Sequence, residues 1–250
     1  MESDISEYVK NPRQKKLFEL LPKNCTISTK NDAIAWVDVF HIIKSIMDDY
    51  FAKNLKLEKE FQQLVVRENN ILREANNTDY YIIDFEYQSK HGRFDLIALR
   101  CDSTPIDRKK PENCRLSIIE VKYGDASLTG KSGLIKHVDD AETFLSEKNR
   151  VNEFKNEMLN IFEQKRKLGL INFGKAKNIN LVSTIKDDYK IEFIFIFAAH
   201  KQKSSFLNSE IKKITKMKNA DLRFAQASFM GYALYKESML ELKKFRKMVI

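Results

Sequence analysis

Three charged residues stand in this chain where apolar side chains belong. In LSIIEVKYG (116–124), Glu120 and Lys122 close an apolar run that a glycine ends, the pattern of a strand inside a sheet. Side chains alternate across a strand, so both share a face with Leu116 and Ile118. In RFDLIALR (93–100), Asp95 shares a face with Ile97 and Leu99 in the same way. Burying an unpaired charge is costly, so the three residues ask for a common purpose. If the two segments pair as a hairpin, Asp95 near the start of one comes opposite Glu120 and Lys122 at the end of the other. Converging carboxylates suit Mg²⁺, with Mn²⁺ as a substitute, because both ions take oxygen ligands and water. The expected metal ligands are Asp95, Glu120 and the carbonyl of Val121. Lys122 then stands where it can orient a water or neutralise a phosphate. Such a centre activates water and offsets charge on a leaving oxygen, which is the chemistry of phosphodiester hydrolysis.

The elements that must position these residues can be read from periodicity. A helix begins near Pro12 and ends before Pro22, and a longer one follows Asn31 or Asp32 as cap. Ile34, Val37, Phe40, Ile43, Met47 and Phe51 recur along it at helical spacing, an apolar stripe. His41 and Trp36 near that stripe read as packing. A third helix spans about 55–75, with Leu57, Phe61, Leu64 and Val65 on its apolar face. Strands follow at 80–87, 93–100 and about 115–123, the second and third joined by a loop carrying Pro105 and Pro111. Helices over 131–148 and 150–168 precede a strand at 190–199, and residues 222–230 suggest another between amphipathic helices. The order is that of a mixed α/β layer with its sheet covered by helices.

With those elements in place, RFDLIAL and SIIEVKYG resemble the PD-(D/E)xK nuclease superfamily, Asp95, Glu120 and Lys122 standing at its motif positions and Phe94 where the family has proline. The resemblance covers about residues 55–200. It implies a restriction-endonuclease-like core: a helix, three antiparallel strands, a helix and a further strand. The activity it implies is that of a Mg²⁺-dependent endodeoxyribonuclease leaving 5′-phosphates. The expected domains are an N-terminal helical segment (1–54), the nuclease core (55–200) and a basic C-terminal extension packed on that core (201–250). The family often adds a glutamate from its first helix. Here LEKEFQQLVVREN offers Glu58, Glu60 and Glu68. The weaker similarity of this region to NucS-type nuclease domains favours Glu60, whereas helical geometry puts Glu68 mid-stripe and Glu60 at its edge. Glu60 is taken as the site acid and Glu68 as second. Glu86 is an auxiliary acid by the same similarity.

Charge points to the same class of partner. The net charge is +9, and residues 201–250 hold 12 Lys or Arg against 4 Asp or Glu. That profile suits a polyanion, and DNA is expected over RNA. Lys131, Lys136 and His137, on the helix after the third strand, are expected near phosphate, as are Lys243, Lys244, Arg246 and Lys247. GDASLTGKS (124–132) mimics a phosphate-binding loop but has five residues between Gly124 and Gly130 instead of four, and an acid at 125. No hydrolase triad, zinc spacing or membrane span is legible. Cys25, Cys101 and Cys114 form no CxxC and cannot all pair, and with an N-terminus that lacks the basic and apolar regions of a signal peptide they suggest a reducing cytoplasm. A homodimer is compatible with the sequence. The rivals are an RNA nuclease with the same site, a catalytically silent nucleic-acid-binding module, and a structural protein with a charged strand end.

Overall fold

Three runs rich in β-branched and aromatic residues pair as an antiparallel meander: β1 (Tyr80–Ser89), β2 (Gly92–Arg100) and β3 (Arg115–Tyr123). The structure is a computed structural model that describes residues 12–70, 78–102, 104, 114–171, 190–200, 204–227 and 239–249. β4 (Ile191–Ala198) lies parallel to β3, and β5 (Ala220–Ala227) parallel to β4. A short β6 (Leu240–Glu241) completes a six-stranded open sheet in the order β1-β2-β3-β4-β5-β6. β2 and β3 thus pair as the charge pattern requires. The suggested strand at 222–230 is β5, and its last three residues, like Pro105 and Pro111, lie outside the described residues.

Helices cover both faces, as a sheet with two apolar faces demands. α4 (Leu57–Asn70) lays Phe61 and Val65 against Tyr80, Ile82, Leu96, Ile119 and Ile194. On the other face pack α5 (Leu134–Ser146), α6 (Lys148–Lys167), α7 (Ser205–Lys213) and α8 (Leu242–Val249). β4 is buried along its whole length, with Phe193, Phe195 and Phe197 in one core and Ile194 and Ile196 in the other. Residues expected as a C-terminal extension are therefore structural: β5 belongs to the sheet, and Phe245 of α8 stacks on Phe197 and Phe224 at 5.4 and 5.2 Å.

Cys101 and Cys114, buried just past the paired ends of β2 and β3, form a disulfide. Three cysteines cannot all pair, but two do, and this removes the support they gave for a reducing compartment. Cys25 is free and exposed. Among the described residues no helix is long and apolar enough to cross a membrane.

The chain divides into two compact units, Met1–Lys56 and Leu57–Ile250. The first holds α1 (Pro12–Glu19), α2 (Lys30–Asp38) and α3 (Phe40–Lys53). The second helix begins earlier than expected. Thr29 is the cap, closing a reciprocal capping box with Asp32, which stands three residues inside. What reads as one helix is two, broken at Val39. Its apolar stripe is not a core: Ile34, Val37, Phe40 and Met47 are exposed, and Ile42 is the buried residue of α2 and α3.

Candidate active site

The ladder between β2 and β3 runs from Arg100–Arg115 to Leu96–Ile119 and stops there. The next positions in register are Asp95 and Glu120, like charges facing each other, an arrangement that disfavours pairing. Past this point β3 keeps only β4, through Glu120–Phe195, Val121–Ile196 and Lys122–Phe197. The freed amide of Val121 is satisfied by a side chain: it donates to Asp95 Oδ2 at 2.8 Å. The two strands therefore fork at the acids, and Asp95 bridges the fork.

Glu120 is fully buried, and neither carboxylate oxygen has a hydrogen-bond partner. Lys122 Nζ lies 3.7 Å from its Oε2, beyond hydrogen-bond distance, and His137 Nδ1 3.2 Å from the same atom, outside hydrogen-bond alignment. Burial raises the Glu120 carboxyl to about 7, although Lys122 and then the nearby carboxyl and amide of Asp95 oppose it. Burial first, and then the neighbouring Glu120, raises Asp95 to about 7. His137 is pushed down to about 4, by burial and then by Lys122, so its ring is neutral at physiological pH. Its Nε2 is buried without a partner.

From the opposite face α4 contributes Glu58, not Glu60. Glu58 Oε2 accepts the amide of Tyr123 at 3.4 Å, just beyond Lys122. Burial and the charge of Asp95 raise its carboxyl above the ordinary glutamate range. The reason is rotational. Taking about 100° per residue, Glu58 falls roughly 60° from Phe61, between Phe61 and Gln62, while Glu60 lies about 100° to the other side of Phe61. The buried face of α4 is Phe61, Gln62, Val65, Asn69 and Asn70, whereas Leu57, expected on that face, is exposed. Glu68 pairs with Arg67 at 2.8 Å instead. Glu86 stands opposite Asp95 in the β1–β2 register, in a left-handed conformation (φ 55°), but its carboxylate pairs with Lys59 at 2.9 Å. It holds the first turn of α4, next to Glu58.

Of the expected phosphate contacts, His137 is drawn into the acidic group, and Lys131 is exposed on a 3₁₀ turn (Gly130–Ser132). Lys136 pairs with Asp140 one turn along α5. Lys243, Lys244 and Lys247 are exposed, and two of them line, with Lys216 and Arg223, a cavity of about 440 Å³. Arg246 is different. Its Nη2 donates to the carbonyls of Ile211, Lys212 and Ile214 at 3.3, 3.2 and 2.7 Å, capping the end of α7. Arg246 lines the same cavity, with this guanidinium nitrogen already engaged.

The mimic of a phosphate loop has another use. Asp125 accepts from Ser204 Oγ at 3.3 Å and lies 2.9 Å from His200 Nδ1, while His200 Nε2 meets the Lys122 carbonyl at 3.2 Å. Lys122 is thereby braced from behind. No local signal marks this in the sequence, because His200 is 75 residues from Asp125.

The donor chemistry of Asp95, Glu120 and Glu58 fits a hard divalent cation, which would satisfy the orphaned oxygens of Glu120. Among the described residues no three His, Cys, Asp or Glu side chains form a ready-made metal group. No protein-family model, curated protein or solved structure matches the chain.

Proposed function

We propose that the chain is a divalent-metal-dependent nuclease that hydrolyses phosphodiester bonds in DNA. The observation that carries this reading is the fork: two carboxylates meet where β2 and β3 part, and Glu120 is left there buried without a hydrogen bond, 3.7 Å from Lys122. A fold gains nothing by burying such a carboxylate unless something from outside completes it.

A bound Mg²⁺ or Mn²⁺, held by Asp95 and Glu120 with the Val121 carbonyl, would supply Lewis-acid stabilisation of charge on the phosphate. The chain's own groups do the rest. The Val121 amide fixes Asp95 across the fork. The Lys122 ammonium, braced through its carbonyl by His200, donates to a phosphate oxygen or orients the attacking water. Glu58, held by the Tyr123 amide, accepts a hydrogen bond from that water. The surface lysines 131, 243, 244 and 247 offer sequence-independent contact to the backbone of the polyanion.

The test is one panel: supercoiled plasmid, linear duplex, single-stranded DNA and RNA, each with Mg²⁺, Mn²⁺ or EDTA, using wild type and Glu120→Gln. Cutting of DNA that needs metal and is lost in Glu120→Gln is the expected result. Preferential cutting of RNA would transfer the same chemistry to the other nucleic acid. Retention of wild-type cutting by Glu120→Gln would remove the assignment, and binding without cutting under every condition would make the chain a silent module.

A further inference from the structure

We propose that His137 gives a ring nitrogen to the same cation as Asp95 and Glu120, making a mixed oxygen–nitrogen centre that takes Mn²⁺ in preference to Mg²⁺. The proposal rests on the metal-dependent reading above and goes beyond it, because neither the charge pattern nor the motif assigns a ligand to α5. His137 Nδ1 and Glu120 Oε2 lie 3.2 Å apart, yet no hydrogen bond joins them. Two adjacent ligands of an octahedral cation, each about 2.1 Å from it, stand roughly 3.0 Å apart and need not point at one another. The pair has that spacing and that misalignment.

The placement of His137 is fixed by its surroundings. Its amide donates to the Gly133 carbonyl at 3.2 Å, in the first turn of α5. A Cβ at Gly133 would meet the Thr129 backbone at 2.8 Å and the Leu128 carbonyl at 2.9 Å, so the helix start is seated against the preceding segment. On the helix's outer face Lys136 is occupied by Asp140, while His137 turns inward with Leu134, Val138 and Ala141, which are buried. Among the described residues no three ligating side chains surround one point, and Glu120 and His137 are the pair that stands at ligand spacing, with Asp95 held beside them by the Val121 amide. Both ions prefer oxygen, but Mn²⁺, a transition ion, accepts one nitrogen among oxygen ligands more readily than Mg²⁺, which demands a near-ideal oxygen octahedron.

The experiment uses Mn²⁺ itself as probe on the full chain. Mn²⁺ is titrated by electron paramagnetic resonance into wild type, His137→Ala, His137→Gln and Asp95→Asn, with Mg²⁺ affinity measured by competition. Pulsed spectra then report directly bound nitrogen. We expect ¹⁴N modulation from a coordinated imidazole in wild type and its loss in both His137 variants. Mn²⁺ affinity should fall by at least about tenfold there, and Mg²⁺ affinity by much less. Bound Mn²⁺ that depends on Asp95 but lacks imidazole modulation in wild type would overturn the role of His137 and leave the metal centre standing. Modulation that survives in His137→Ala would do the same. Mn²⁺ binding indifferent to Asp95→Asn, or none at all, would sink both the metal centre and the role of His137. The wild-type spectrum decides even if a His137 variant fails to fold.

Discussion

Glu192 and Glu120 occupy neighbouring parallel strands, and both are buried, yet the fold treats them oppositely. Glu192 Oε2 accepts from Tyr80 OH at 3.0 Å and Ser117 Oγ at 3.1 Å, and Oε1 from Arg100 Nη1 at 2.9 Å. Arg115 and Arg223 approach Oε1 at 3.9 Å. This cluster sits on the α4 face, towards the start of β3, where the β2–β3 ladder is intact. Glu120 faces the other way at the opened end, with two orphaned oxygens. An unmade bond to a buried polar group costs about 1–3 kcal/mol, so the difference is energetic as well as geometric. A buried carboxylate that its own chain completes is scaffold. One left incomplete at a strand fork is, on the proposed reading, where a cation would bind.

The contrast can be broken most forcefully through activity. Glu120→Gln, Asp95→Asn and Lys122→Ala are expected to lower DNA cleavage by about 10³-fold or more, as loss of a central acid, base or electrostatic group does. Glu192→Gln, assayed well below its melting temperature, should stay within about threefold of wild type by the same principles. Equal losses in the two sets would dissolve the distinction. Stability should show the reverse order. Arg100→Ala takes the nearest guanidinium from Oε1 of Glu192 and should reduce the unfolding free energy by up to about 3–5 kcal/mol in urea denaturation, while Lys122→Ala costs much less.

The pH dependence sharpens the same point. Asp95 and Glu120 titrate near 7 in the folded protein, above their ordinary values of 3.8 and 4.5. Between those limits the folded state holds protons that the unfolded state releases, so metal-free stability must fall as pH rises from about 4 to 7. Glu120→Gln removes part of that loss. Its unfolding free energy should exceed that of wild type at pH 8 by on the order of 2 kcal/mol, and match it at pH 4. A Glu120→Gln advantage that is the same at both pH values would contradict the assignment of these shifts. Among the acids of α4, Glu58→Gln should slow cleavage about tenfold and Glu60→Gln less than twofold, separating a residue aimed at the fork from one on the flank. The smallest effect belongs to the surface. Replacing Lys243, Lys244 and Lys247 by alanine should flatten the log–log salt dependence of DNA binding by up to about 0.9 for each phosphate no longer neutralised, with turnover at saturation unchanged. An unchanged slope would put the binding surface near Lys131.

The charged strand face was legible because strand alternation is local: Asp95 with Ile97, and Glu120 and Lys122 with Ile118, need only a period of two. The antiparallel pairing of β2 and β3, supposed in order to bring those residues together, is the pairing found. The acid of α4 was not legible, since choosing among Glu58, Glu60 and Glu68 required the azimuth of the helix. Asn69 and Asn70, polar yet buried, shift its packed face away from the apolar stripe. Arg246 looked like any other cation in a basic run, because capping of α7 depends on an interaction across more than thirty residues. The pairing of Cys101 with Cys114 was equally hidden until β2 and β3 were set side by side.

That disulfide sits at the far end of the same hairpin whose near end is forked. A strand pair that parts at one end is exposed to slippage, and a shift of one residue would turn Asp95 to the opposite face of the sheet. The covalent link between Cys101 and Cys114 acts as a datum for counting: with it closed, Asp95 is always six residues from the tie on one strand and Glu120 six on the other. The acids keep their alignment while the fork keeps its freedom to admit a ligand. Lengthening the chain between the two cysteines leaves that count untouched, so the hairpin tolerates variation in its loop without forfeiting its chemistry.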